Sequence, residues 1–296
     1  MACKNEIRAT ALARFFSATV LKDLAVHGRS PTLARLIRES GLDPGVNSTK
    51  HVGAVFDQAF DQLKRRAHRH EYIYKAALAQ KVLLGIHSLQ TASMVTEFRV
   101  GRRKADVVIL NGTGTVYEIK SERDNLRRLA SQIDAFSRVF AIVNVIVGNN
   151  HVGDVEASVP DHVGIMVLSD RYQVKTLKPA MEDPKRTDAT AIFDTISQRE
   201  ADLILKAADK TLPDVPNTQR YAALREQFVT LDSETAHRGM VDCLKRTRNL
   251  RPLSGVLESV PDSLCAAVIA TPMNRREHDR MITALRTPIC EAIAWG

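Results

Sequence analysis

Three residues between Arg103 and Lys120 have the types and spacing for metal-assisted chemistry: Asp106, Glu118 and Lys120. Val107 to Leu110 and Thr115 to Ile119 are rich in β-branched residues, and Asn111-Gly112-Thr113-Gly114 tolerates positive φ between them, so the stretch predicts a hairpin. A strand sets residues two apart on one face, which puts Glu118 and Lys120 together and turns Ile119 away. Asp106 joins them only if the loop is odd or bulged near Gly112 or Gly114. An even turn pairing Leu110 with Thr115 would place Asp106 opposite Ile119, on the wrong face. Two carboxylates so close raise each other's pKa unless a cation lies between them, and oxygen-only ligands favour Mg²⁺ or Mn²⁺ over zinc. A neighbouring lysine can steady a water or the charge that develops on a phosphoryl group under attack.

An acid-x-Lys triplet by itself arises about once by chance in a chain of this length and charge. The competing reading is a salt bridge on a solvated strand edge. The surrounding Val116-Tyr-Glu-Ile-Lys120 reads as buried, where an acid and a lysine are costly unless paired or functional, and that favours a working set.

Asp106, a hairpin, Glu118-Ile-Lys120, an amphipathic helix and a further apolar strand together resemble the PD-(D/E)XK, or restriction-endonuclease-like, nuclease superfamily. The similarity covers about Tyr72 to Leu168. It is closest to an uncharacterised bacterial family with a Tyr-Glu-Ile-Lys-Ser-x-x-Asp-x-x-x-Arg-Leu segment, here Tyr117 to Leu129. The resemblance implies metal binding by Asp106, Glu118 and the Ile119 carbonyl, with Lys120 assisting phosphodiester hydrolysis. It also implies an αβββαβ core with a mixed central sheet. The proline of the family name is Ala105 here. RecB-like and junction-resolving branches add an acid on the helix before the sheet and a glutamine after it, positions matched by Glu71 and Gln132. Gln132-Ile-Asp-Ala-Phe136 resembles their Gln-x-x-x-Tyr element without its hydroxyl. Glu97, on the strand before the hairpin, is a rival for the auxiliary acid. A surface helix residue and a helix-flank amide are the blander readings of Glu71 and Gln132.

The 296 residues carry a net charge of +8, an excess that favours a polyanionic partner. Cys3, Cys243, Cys265 and Cys290 are too scattered for a paired metal spacing and suit a reducing cytosol. No secretory pattern or long apolar run is evident, so the expectation is a cytoplasmic protein without a membrane partner.

The chain divides into an N-terminal helical region (1–69), an α/β nuclease-like core (70–183) and a C-terminal helical region (184–296). Apolar spacing predicts helices over Asn5 to His27, Ser30 to Gly41 and His51 to Arg69, with a loop from Gly41 to Ser48. Strands are predicted over Ala92 to Val100, Ala141 to Val147 and Val163 to Leu168. Ser121 with Asp124 suggests a helix start, and Pro184 to Asp188 a linker. Lys64, Arg65, Arg66 and Arg69, the turn residues Arg102, Arg103 and Lys104, and the helical Arg127 and Arg128 are candidates for holding a phosphate backbone. The C-terminal region could serve target selection, contact with a second copy or another protein, or closure of a groove.

The expected function is therefore a Mg²⁺- or Mn²⁺-dependent nuclease acting on DNA, in restriction, repair or defence against mobile DNA. The alternative is a non-cleaving nucleic-acid-binding or assembly protein on the same scaffold.

Overall fold

The computed structural model describes residues 10–40, 42 and 50–296. Ser17 starts α1 (Ala18–His27) by accepting the Val20 N–H, and Gly28 ends it at φ 68°. The expected first helix is thus interrupted at Ser17, after a 3₁₀ turn over Arg14–Phe16. Ser30 caps α2 (Pro31–Glu39), with Pro31 in the first turn where its missing N–H costs nothing. The part of the first helix before residue 10 and nearly all of the loop from Gly41 to Ser48 lie outside the described residues. α3 (Val52–Leu63) follows. α4 starts at Glu71–Ala77 and runs through a π-helical turn, Leu78–Leu83, to Leu84–Ile86.

A six-stranded mixed sheet follows in chain order: β1 (Ser93–Val100), β2 (Arg103–Asn111), β3 (Thr113–Lys120), β4 (Ile142–Val147), β5 (Gly164–Leu168) and β6 (Val174–Lys178). β1, β2 and β3 form an antiparallel meander, β3, β4 and β5 are parallel, and β6 returns antiparallel. The parallel connections carry α5 (Leu129–Ser137) and α6 (Val152–Ser158). In the β2–β3 hairpin Leu110 faces Gly114 and Asn111 faces Thr113, leaving Gly112 alone at the tip with φ 72°. The loop is odd, as the placement of Asp106 requires.

Helices cover both faces, giving three layers. α5, α6, α7 (Ala189–Phe193), α8 (Gln198–Ala207), α9 (Asn217–Phe228) and α10 (Ser233–Thr247) pack with Val108, Val116, Val143 and Val145. On the other face α1 to α4 share a core with Val107, Ile109, Tyr117 and Ile119. That core is completed by α11 (Ser254–Ser259), α12 (Cys265–Ala270), α13 (Arg275–Leu285) and α14 (Ile289–Ala292).

Two local expectations are corrected, and one strand is new. Ser121 and Asp124 form a tight turn, Ser121 donating through N–H and Oγ to the Asp124 carboxylate, and the helix starts only at Leu129. Pro184 to Asp188 is no loose linker: the Asp183 and Asp188 N–H groups donate to Ala141 and Arg138 carbonyls, and the Ser233 hydroxyl donates to the Thr187 carbonyl. The edge strand β6 was not expected, because Val174-Lys-Thr-Leu-Lys178 has no apolar run; its lysines suit an edge that must not pair further. Among the described residues no helix is long and apolar enough to cross a membrane.

Candidate active site

The pairing registers place three acids in one row. Thr96 faces Val107 and Phe98 faces Ala105, so Glu97 stands opposite Asp106; Val107 faces Tyr117, so the next level sets Asp106 opposite Glu118. The strands change character at this row. Met94 and Val107 pack on the α4 side of the sheet, whereas Phe98, Val100 and Ala105 pack on the α5 side. Glu97 lies at φ 53°, in the left-handed region that glutamate seldom adopts, and this turns the edge strand over. Asp106 no longer pairs through its backbone to β3; its carboxylate accepts the Ile119 N–H at 2.7 Å instead.

Glu118 is 1% exposed. Its Oε1 takes a bond from Lys120 Nζ at 2.5 Å, and Lys120 also donates to Gln132 Oε1 on α5 at 3.0 Å. Glu118 Oε2 is sealed from solvent without a hydrogen-bond partner. Burial pushes the Glu118 carboxyl up against the opposing pull of Lys120. Burial and then the Glu118 charge push Asp106 up to about 8.

From the opposite side α4 brings Glu71. Ligand oxygens of Glu71, Glu97 and Asp106 all lie within 4.8 Å of one another, so the two rival auxiliary acids sit at one place. Lys75, one turn on from Glu71, places Nζ 2.6 Å from Glu71 and 2.5 Å from Glu97. Burial works against this ammonium, but the two glutamates outweigh it and hold its pKa above the ordinary lysine value. Sequence reasoning missed Lys75, although its i+4 spacing from Glu71 was a usable signal. Hard oxygen donors and like-charged acids close together fit a divalent cation such as Mg²⁺ or Mn²⁺; the oxygens that converge are those of Glu71, Glu97 and Asp106, while Glu118, with its orphaned Oε2, is outside that group although it stands opposite Asp106 in the register. Ile119 reaches this place through its N–H.

The basic candidates divide. Arg65, Arg66, Arg102, Lys104, Arg127 and Arg128 are exposed, and Arg103 is half-buried. Lys104 Nζ is 3.9 Å from Glu97, near the row. Lys64 pairs with Asp61 at 2.6 Å and lies over the Phe60 and Tyr172 rings. Arg69 is corrected outright: it is 1% exposed and donates to the carbonyls of Lys64, Leu168 and Ser169 and to Glu122, so it faces no phosphate. Glu122 also accepts the Tyr74 hydroxyl at 2.9 Å, which ties α4 to the end of β3.

Residues 64–250 match the protein family described as Bacteriophage P4 protein cII. Protein cII of Enterobacteria phage P4 is 30% identical over 98 residues, which cover 32% of this chain and 33% of that protein. The aligned stretch is thus about a third of that relative's length. No solved structure matches the chain.

Proposed function

The chain belongs to the Bacteriophage P4 protein cII family, and we propose that this member is a metal-dependent nuclease with a restriction-endonuclease-like core that hydrolyses phosphodiester bonds in DNA. The observation that carries this reading is the acid row Glu97, Asp106 and Glu118 across three adjacent strands, with Lys120 bonded to its innermost member and Glu118 Oε2 left unpartnered. A purely structural ion pair has no use for a second and third acid at the same level, since each adds repulsion.

When bound, Mg²⁺ or Mn²⁺ supplies Lewis-acid polarisation of the phosphoryl oxygen and a more acidic water. Asp106 and Glu118 would hold it, with Glu71 and Glu97 near Asp106, and the Ile119 N–H fixes the Asp106 carboxylate in place. Lys120, oriented by Glu118 and Gln132, presents an ammonium to the attacking water or to the charge gathering on the phosphorus oxygens. Lys104 and Arg102, at the β1–β2 turn, and the exposed Arg127 and Arg128 hold the backbone by charge without reading bases. Restriction, repair and defence against mobile DNA are the roles such chemistry serves.

The test incubates wild type, Asp106→Ala and Lys120→Ala with linear, circular, single-stranded and branched DNA in Mg²⁺ or Mn²⁺. Metal-dependent cleavage by wild type, reduced at least a hundredfold in both variants, is expected. Absence of cleavage by wild type on every substrate overturns the reading. A second reading, a non-cleaving nucleic-acid-binding or assembly protein, is favoured by one observation: Lys75 and Lys120 already form ion pairs with three of the acids from within the chain.

A further inference from the structure

Beside β1, the edge strand that carries Glu97, runs a cleft of about 910 Å³. Met94 and Val95 form one wall, and Val256 and Ile282 on the facing helices, with Met273 in the loop before α13, give the other an apolar surface. A smaller pocket of about 300 Å³ adjoins it, bounded by Lys75 and Glu97. Thr96, Ala270 and Thr271 line both, so the depression leads from the acid row along the sheet edge into the cleft.

Two features give the cleft a ligand preference. His278, which lines it, is 7% exposed, and its Nε2 is closed to solvent with no partner. A buried ring nitrogen in that state lacks a polar partner, and a group entering with a ligand is one that can supply it. At the rim Arg275 is exposed and, among the described residues, in no ion pair, while Arg248 lines the wall with its guanidinium over Phe98 and paired with Glu200 at 3.1 Å. Asp279 is the one carboxylate among the lining residues. Clefts of this size with apolar walls and a few converging polar groups suit flat organic ligands, and Arg275 adds attraction for a polyanion.

We infer that this cleft seats unpaired nucleotides of a single-stranded segment adjoining the acid row. An unpaired base offers an apolar face to Met94, Val256 and Met273 and a free hydrogen-bonding edge to His278; a paired base has spent that edge. The inference rests on the nuclease reading for its meaning, and narrows the substrate to nucleic acid with an unpaired stretch next to the scissile bond.

Gly255 provides the test. It lines the cleft, and a Cβ there would meet nothing within 4 Å, so the side chain of Gly255→Phe can leave the backbone without a clash and take up cleft space. Gly153 is equally unobstructed and lies on α6, on the far side of the sheet from β1, so Gly153→Phe is the control for a bulky surface change. Binding of a short labelled oligothymidylate and of a blunt duplex is followed by fluorescence anisotropy at low salt in EDTA, with thermal melting to verify the fold. Gly255→Phe and Arg275→Glu are expected to weaken single-strand binding about tenfold, with Gly153→Phe at the wild-type value. Wild-type affinity in a folded Gly255→Phe or in Arg275→Glu overturns the inference. So does a cleft that takes an apolar dye, blocked by Gly255→Phe, in a protein that binds no oligonucleotide; the occupant is then a protein side chain. Mn²⁺ binding and cleavage are read separately on wild type. Single-strand binding through the cleft without either removes the nuclease reading and leaves the cleft. Mn²⁺-dependent cleavage with unaltered oligonucleotide binding in Gly255→Phe removes the cleft alone.

Discussion

On the proposed reading, protonation and metal binding meet at Asp106. Burial and Glu118 hold its carboxyl near 8 in the folded chain, against an ordinary value of 3.8. The folded state therefore keeps a proton that the unfolded state gives up. Between about pH 4 and 8 the metal-free protein loses stability as pH rises, and above 8 the loss levels off. Thermal melting in EDTA should show this slope, and Asp106→Asn should flatten it; an unchanged slope in the variant would locate its origin elsewhere. Because a bound divalent cation requires that proton to leave, Mn²⁺ affinity should climb toward pH 8. Lys75 competes for the same acids. Lys75→Met is expected to tighten Mn²⁺ binding about tenfold by removing the resident charge, and weaker binding in an electron paramagnetic resonance titration would count against that role. The sequence made Asp106, Glu118 and Lys120 legible through strand periodicity. It concealed Lys75, because a lysine on a helix with a glutamate one turn earlier is an ordinary surface pattern until the sheet beneath it is known.

At the scale of the element, β1 carries strain for the benefit of the acid row. Glu97 at φ 53° costs on the order of 1 kcal/mol, and its exposed ion pairs return little of that. Glu97→Gly should therefore raise resistance to urea by roughly 1 kcal/mol while weakening Mn²⁺ binding, a stability gain coupled to a functional loss. A loss in both would mean that the glutamate pairs outweigh the backbone. The hairpin between β2 and β3 could be read in advance because only an odd loop brings Asp106 to Glu118, and Gly112 supplies the required conformation. Arg69 could not be read that way. In sequence it ends a run of basic residues, but the fold spends its guanidinium on the carbonyls of Lys64, Leu168 and Ser169, the last two at the end of β5, where it joins the start of α4 to the sheet. Arg69→Met should cost about 3 kcal/mol or more in chemical denaturation, since it leaves several buried acceptors unsatisfied.

For the whole molecule, the helices at the two ends of the described chain behave as parts of one layer. α13 lies along α1, the Tyr72 hydroxyl donates to the Ser263 carbonyl at 2.6 Å, and the Ser263 hydroxyl donates to Asp57 at 2.7 Å. The sequence showed helices at both ends but not that they share a core, because an amphipathic stripe says what it wants to bury against and not which partner supplies it. Removing residues 250–296 is expected to abolish cooperative thermal unfolding, because the apolar faces of α1, α3 and α4 would open to water. A truncated chain with a sharp transition would show that the N-terminal helices suffice.

The Tyr72–Ser263 bond has a consequence for how the protein is made. Glu71 and Lys75 ride on a helix whose outer side is covered by chain that leaves the ribosome almost two hundred residues later. Until then the helix has an uncovered greasy flank and the acids lack their final alignment, so the nascent chain carries an exposed apolar surface while the rest is synthesised.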